Sequence, residues 1–178
     1  MEFVSTATQL FSILTVLAQI GSLAILICLV VKAKLTRTVL KFFGKHAFLL
    51  AFIVALVSML GSLYYSEIAQ YTPCKLCWYQ RILMYPQALL LGIAYARKDN
   101  HITLYSLVLS IIGAGIALYH YLIQIGTIGE IVPCTTVGYS VSCAEKFIMT
   151  FGYITIPMMS LSAFLIIIFL MLAKRKTK

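Results

Sequence analysis

Long apolar runs alternate with short polar breaks along this chain, and the runs have the length of membrane spans. Four runs are free of charge: Gln9 to Val31, Ala47 to Ser66, Ile102 to Gly129 and Phe147 to Ala173. A helix rises 1.5 Å per residue, so about 20 apolar residues cross a hydrocarbon core about 30 Å thick. A fifth run, Trp78 to Ala96, carries Arg81 near its start. It reads as a span too, because the long runs on either side need a crossing between them. The pattern predicts five helices in an all-α membrane bundle. Pro86 and Pro157 fall inside predicted helices, where each removes a backbone donor and introduces a kink.

The breaks give the bundle a direction. Lys32 to His46, Arg97 to His101 and Lys174 to Lys178 hold eleven of the 14 Lys and Arg residues. Alternating spans put all three segments on one side, and the positive-inside rule makes that side cytoplasmic. The expected protein is a multi-pass protein of the cell (cytoplasmic) membrane, with its N-terminus outside and its C-terminus inside. The first helix lacks the basic leader and short apolar core of a cleaved signal, so it reads as a retained anchor.

Composition removes the alternatives. The chain is 62% hydrophobic and 11% charged, with mean hydropathy +1.00. Soluble domains are about 45–50% apolar and about 25% charged, and a disordered chain needs more polar residues still. The net charge of +9 lies at the span ends, where it orients the chain and meets anionic lipid. It is not interleaved with aromatics in a groove, so no nucleic-acid partner is expected.

The chemistry lies in the cysteines. Cys74 and Cys77 stand between helices two and three, and Cys134 and Cys143 between helices four and five. Two crossings separate the pairs, so both face the same side, which the charge rule makes the oxidising exterior. Cys74-x-x-Cys77 at a helix start suits redox work. One turn brings the sulfurs together, and the helix amino end favours a thiolate. Arg81, one turn further in, can add positive charge or donate to an acceptor just inside the membrane. Two other readings of the cysteines stay open on spacing: structural disulfides, and metal ligation. The second pair is wider than a metal knuckle, and no metal is expected. Cys28, mid-helix among apolar residues, reads as packing. Trp78, Tyr79, Tyr71, Tyr64 and Tyr65 read as an interfacial aromatic belt, with one or two free to wall a flat ring. His120, alone late in helix four, is either a packing residue or a proton or ligand contact.

Residues 52–67, followed by Pro73-Cys74-Lys75-Leu76-Cys77-Trp78-Tyr79-Gln80-Arg81-Ile82-Leu83-Met84-Tyr85-Pro86, closely resemble the DsbB/BdbC disulfide bond formation proteins, nearest the BdbC branch. Cys134, Cys143-Ala144-Glu145, Phe151-Gly152 and Pro157 agree with it. The resemblance divides the chain into residues 47–178, a four-helix redox domain, and residues 1–46, an extra transmembrane helix with a basic connector. It implies a protein-dithiol:quinone oxidoreductase. Such an enzyme reoxidises an exported thioredoxin-like thiol oxidase (DsbA/BdbD-like) and passes the electrons to ubiquinone or menaquinone, supporting disulfide formation outside the cytoplasm. Carried over, Cys77 is the cysteine beside the quinone and Cys74 its partner. Cys134 is attacked by the soluble protein, and Cys143 is its partner. Arg81 and His120 are quinone-side residues, and Gln80 stands where some members carry glutamate. Two alternatives remain: a scaffold with purely structural disulfides, and a vitamin-K-epoxide-reductase-like quinone reductase, whose cysteine pairs come in the reverse order. The extra helix is either a lipid-facing anchor or a partner-binding helix.

Overall fold

The computed structural model describes residues 2–31, 33–129 and 141–177. Five α-helices follow in order: α1 (Glu2–Val30), α2 (Lys34–Leu63), α3 (Lys75–Arg97), α4 (Ile102–Gln124) and α5 (Ile156–Lys176). A π-helical turn, Tyr64–Ile68, extends α2. Helices α2 to α5 form a four-helix ring in which each packs on its sequence neighbour and α5 closes back on α2. Helix α1 lies outside the ring, against α2 and α5. Four helices are long and apolar enough to cross a membrane: α1, α2 with its π-helical end, α4 and α5. Helix α3 is the least apolar because it carries the polar residues of the site. Its 23 residues still span about 35 Å.

Local chemistry sets the breaks. Between α1 and α2 the Thr36 hydroxyl donates to the carbonyls of Val31 and Ala33, both at 2.8 Å. Lys98 takes a left-handed conformation (φ 55°) and ends α3. Asp99 Oδ1 then accepts from His101 N at 2.9 Å and opens α4.

Three boundaries differ from the sequence expectation. The basic segment from Lys34 to His46 is not a loop, since α2 begins at Lys34. Its 30 residues measure about 45 Å, longer than a hydrocarbon core, so its first turns form a basic helical extension. Helix α4 stops at Gln124, not Gly129. Gly126 adopts φ 77°, and Thr127 N donates back to Leu122 O at 3.0 Å, a glycine-dependent helix stop. Helix α5 starts at Ile156, not Phe147. Phe151 and Gly152 are both left-handed (φ 52° and 78°), which a right-handed helix excludes. They close a tight turn bridged by Thr150 and Ile154. Pro157 therefore lies in the first turn of α5. There its missing N–H is harmless, and no mid-helix kink arises from it. Pro86 does lie within α3.

Lipid tails are as apolar as leucine, so packing and hydrogen bonds hold such helices together. Ala47, Ala51 and Ala55, spaced one turn apart on α2, are fully buried and allow close approach. Gly113 on α4 faces the buried Phe164 ring of α5, and any Cβ there would overlap the ring. Gln87 of α3 is fully buried. Its Oε1 accepts from Ser106 at 2.8 Å and Ser110 at 2.9 Å, which ties α3 to α4. Cys28 is a free thiol packed against the main core.

Candidate functional site

The start of α3 is built around a sulfur. Cys74 has extended backbone and caps the helix, its Sγ accepting from Cys77 N at 3.3 Å. The helical turn that follows brings Cys77 Sγ to 2.7 Å from Cys74 Sγ, and both are free cysteines. Cys74 is buried and Cys77 half-buried. Two residues between cysteines at a helix start therefore give the proximity the sequence suggested.

His120 reaches this pair from α4. The Gln80 amide nitrogen lies 3.0 Å from His120 Nδ1. An amide N–H donates, so Nδ1 accepts and the ring proton sits on Nε2. Nε2 faces Cys74 Sγ at 3.6 Å and the Cys143 carbonyl at 3.2 Å. One buried imidazole thus touches the first cysteine pair and the backbone of the second loop. The Cys77 thiol and His120 both stabilise a charge on Cys74 against the opposing cost of burial, and hold its thiol far below the ordinary value, at about 5. The two sulfurs and the imidazole nitrogen lie within 4.8 Å of one another, a spacing compact enough for a soft metal ion as well as for sulfur redox chemistry.

Cys143 is buried and disulfide-bonded. It packs in one apolar cluster with Cys74, Leu76 and Ile123, and Cys77 lies against that cluster. Gln124 Nε2 donates to Glu145 O at 2.8 Å and fastens this segment to α4. Cys134 lies outside the described residues.

Arg81 is fixed from α2. Its Nε donates to Ser62 Oγ at 2.9 Å and its terminal nitrogen to Ser62 O at 3.0 Å. Its guanidinium lies over the Trp78 ring, 5.1 Å from the centroid. A guanidinium has five N–H donors, and these bonds use two. A cavity of about 400 Å³ adjoins these groups, with Cys77, Gln80, Arg81 and His120 supplying polar lining. Most of the remaining lining is apolar, from α1, α2 and α5. Of the expected aromatic belt, Trp78 and Tyr79 are exposed, whereas Tyr65 is buried. Tyr71 stacks between Tyr65 (6.0 Å) and Phe147 (5.0 Å), and all three line the cavity.

The structure brings together Cys74, Cys77, Cys143 and His120, with Arg81 on the shared cavity. Sequence reasoning did not find Gln80 as the partner of His120, Ser62 as the anchor of Arg81, or the α1 residues in the wall. The signal for Gln80 was its place one turn past Cys77, on a helix needing a buried polar face. Ser62 and the α1 side chains carry no local signal.

Comparison with known proteins agrees with this geometry. The family described as "Disulfide bond formation protein DsbB" matches residues 44–174. Disulfide bond formation protein C of Bacillus subtilis is 52% identical over 126 residues, covering 70% of this chain and 89% of that protein. A probable disulfide formation protein C of Halalkalibacterium halodurans is 47% identical over 118 residues, covering 66% of this chain and 84% of that protein. Another, of Bacillus cereus, is 45% identical over 126 residues, covering 69% and 87%. No solved structure matches. The chain is a multi-pass helical membrane protein with oxidoreductase character, and it belongs to the DsbB family of disulfide bond formation proteins.

Proposed function

We propose that the protein is a protein-dithiol:quinone oxidoreductase, which reoxidises an exported thioredoxin-like thiol oxidase and delivers the electrons to a membrane quinone. The observation that carries this reading is the Cys74–Cys77 pair, hydrogen-bonded to His120 and opening through Cys77 onto a largely apolar cavity among the helices. A soluble acceptor would not need such a cavity; a hydrophobic one would. The donor set fits a quinone, because Arg81 keeps N–H groups free for a carbonyl oxygen and the stacked Tyr65, Tyr71 and Phe147 rings offer flat walls. The basic start of α2, the Arg97 end of α3 and the Lys174-Arg175-Lys176 end of α5 meet at the end of the bundle away from the cysteines, where Gly44 adjoins Thr177 and His101 shares a surface with Lys174 and Arg175, which supports a cytoplasmic basic side and an exterior cysteine side.

The exchange steps balance as follows. A thiolate of the reduced partner attacks the Cys134 sulfur of a Cys134–Cys143 disulfide, and Cys143 leaves as thiolate. The partner's second thiolate attacks its own sulfur in the mixed disulfide and releases Cys134. Cys143 then attacks Cys74 of a Cys74–Cys77 disulfide, expelling Cys77, and Cys134 resolves the Cys74–Cys143 bridge. The loop pair is again oxidised and Cys74–Cys77 is a dithiol. A bound quinone supplies an acceptor for two electrons and two protons. His120 Nε2–H stabilises the Cys74 thiolate, Cys77 faces the cavity, and Arg81 orients an acceptor oxygen.

The test is purified protein in lipid with quinone and a reduced thioredoxin-like dithiol. Quinone should be consumed in step with dithiol. Arg81→Ala should slow quinone use and spare exchange at the loop pair. A wild-type chain that exchanges thiols but never reduces quinone would overturn the assignment.

A further inference from the structure

Helix α1 lies wholly before the span that matches the family, residues 44–174, yet it borders the site. Phe11, Leu14, Thr15, Leu17 and Ala18 wall the same cavity as Cys77, Arg81 and His120. Helix α1 reaches it by packing along both α2 and α5, the two helices that meet to close the ring.

The docking is specific. Near one end, Tyr65 OH donates to Thr8 Oγ1 at 3.5 Å. Midway, Gln19 Nε2 donates to Ser162 Oγ at 3.0 Å, and Tyr153 OH donates to Gln19 Oε1 at 2.9 Å. At the other end, Lys176 Nζ donates to Leu29 O at 2.6 Å. Two glycines let the backbones close up. A Cβ on Gly61 would stand 3.1 Å from the Phe11 ring, and one on Gly21 would stand 3.3 Å from Ile166. A helix that only anchored the chain in lipid would need none of these bonds.

We propose that α1 is the tail-side wall of the acceptor site. Resting on the quinone reading above, the ring of an isoprenoid quinone lies toward Cys77 and Arg81, and the first part of its tail runs against Leu14, Leu17 and Ala18. Without α1, the α2–α5 flank of the cavity would face lipid directly. With α1 in place the flank is a protein slot. Lipid already solvates an isoprenoid tail, so α1 gains nothing from hydrophobic transfer. It acts by shape, choosing which tails fit and by which route they enter.

The test uses the full chain in lipid. Ala18→Phe fills the slot from α1. Ala24→Phe adds the same bulk at an exposed residue of α1 that lies off the cavity. Ala18→Phe should raise KM for a long-tailed quinone about tenfold, leave kcat nearly unchanged as loss of uniform binding does, and raise KM for a tail-less quinone less. Ala24→Phe should match wild type. In the unmodified chain, a photoreactive quinone bearing its label on the tail should mark an α1 peptide containing residues 11–18. If the wild-type chain reduces quinone but the label avoids α1, or the two phenylalanine variants behave alike, α1 is not the wall. A wild-type chain that reduces no quinone overturns the functional reading itself, and the wall with it.

Discussion

Gln80 and Gln87 lie two turns apart on the same face of α3, both buried against α4, yet they build opposite kinds of polar cluster. Gln87 is closed. Its Oε1 accepts two serine hydroxyls and its amide donates to Leu83 O at 3.1 Å. Gln80 begins an open chain that runs through His120 and ends on Cys74 Sγ and the Cys143 carbonyl. The first cluster has no reactive atom and does not reach the cavity, whereas the second has both. Burial and polarity alone therefore do not mark function in this bundle. What distinguishes the cluster proposed to work is a terminal group that can change its bonding, beside a space where something can bind.

The widest separation between the clusters comes from the sulfurs. Cys77→Ser should reduce quinone consumption to the uncatalysed background with the fold intact, while Gln87→Ala keeps turnover. Quinone absorbance during dithiol oxidation measures both, and substantial turnover in Cys77→Ser would break the comparison. His120→Ala comes next, with a fall of about 100-fold, at the low end for loss of one donor that stabilises a reacting anion. His120→Gln, which keeps a donor, should restore part of it.

The Cys77 thiol and, after it, the same histidine depress the Cys74 pKa and make a pH prediction. Because the Cys74 thiol is held at about 5, the reduced protein should keep its thiolate as pH falls from neutral and lose it through about pH 5. An unperturbed cysteine titrates at about 8.5. The depressed value therefore favours the reduced fold fully above that reference, and the gain disappears as pH falls through about 5. Thiolate ultraviolet absorbance, referenced to Cys74→Ser, reads the midpoint, and His120→Ala should move it upward.

Gln80→Leu should cost about tenfold in turnover, the low end of what a histidine loses with its orienting partner at metal sites. The smallest effect belongs to the closed cluster. Gln87→Ala should lower stability by about 0.6–1.7 kcal/mol, from the average to the maximum measured for a hydrogen bond between membrane helices, with unchanged KM. Unfolding in mixed micelles checks it. Activity loss in Gln87→Ala larger than in Gln80→Leu would reverse the distinction drawn between them.

Much of the site was legible in the chain. Cys74-x-x-Cys77 announced its own geometry, since capping and one helical turn are local. Arg81 followed from its spacing. His120 was ambiguous because a lone histidine on an apolar helix has the same pattern whether it packs or acts. What orients its ring toward Cys74 is Gln80, 40 residues away. The start of α5 was misjudged because Phe147 to Ile154 is as apolar as a helix. Only the left-handed pair Phe151-Gly152 shows that the chain turns there first.

Contiguous residues were enough to set the apolar spans, the basic ends and the sulfur-capped start of α3, because hydrophobicity, charge and capping act over a few residues. They could not say that α1 would lie over the α2–α5 flank, that Ser62 would hold Arg81, or that Gln80 would turn the His120 ring toward Cys74. Those pairings depend on which helix faces meet, and inside a membrane that is settled by close packing and a few distant hydrogen bonds, since surrounding lipid gives no apolar face a preferred partner.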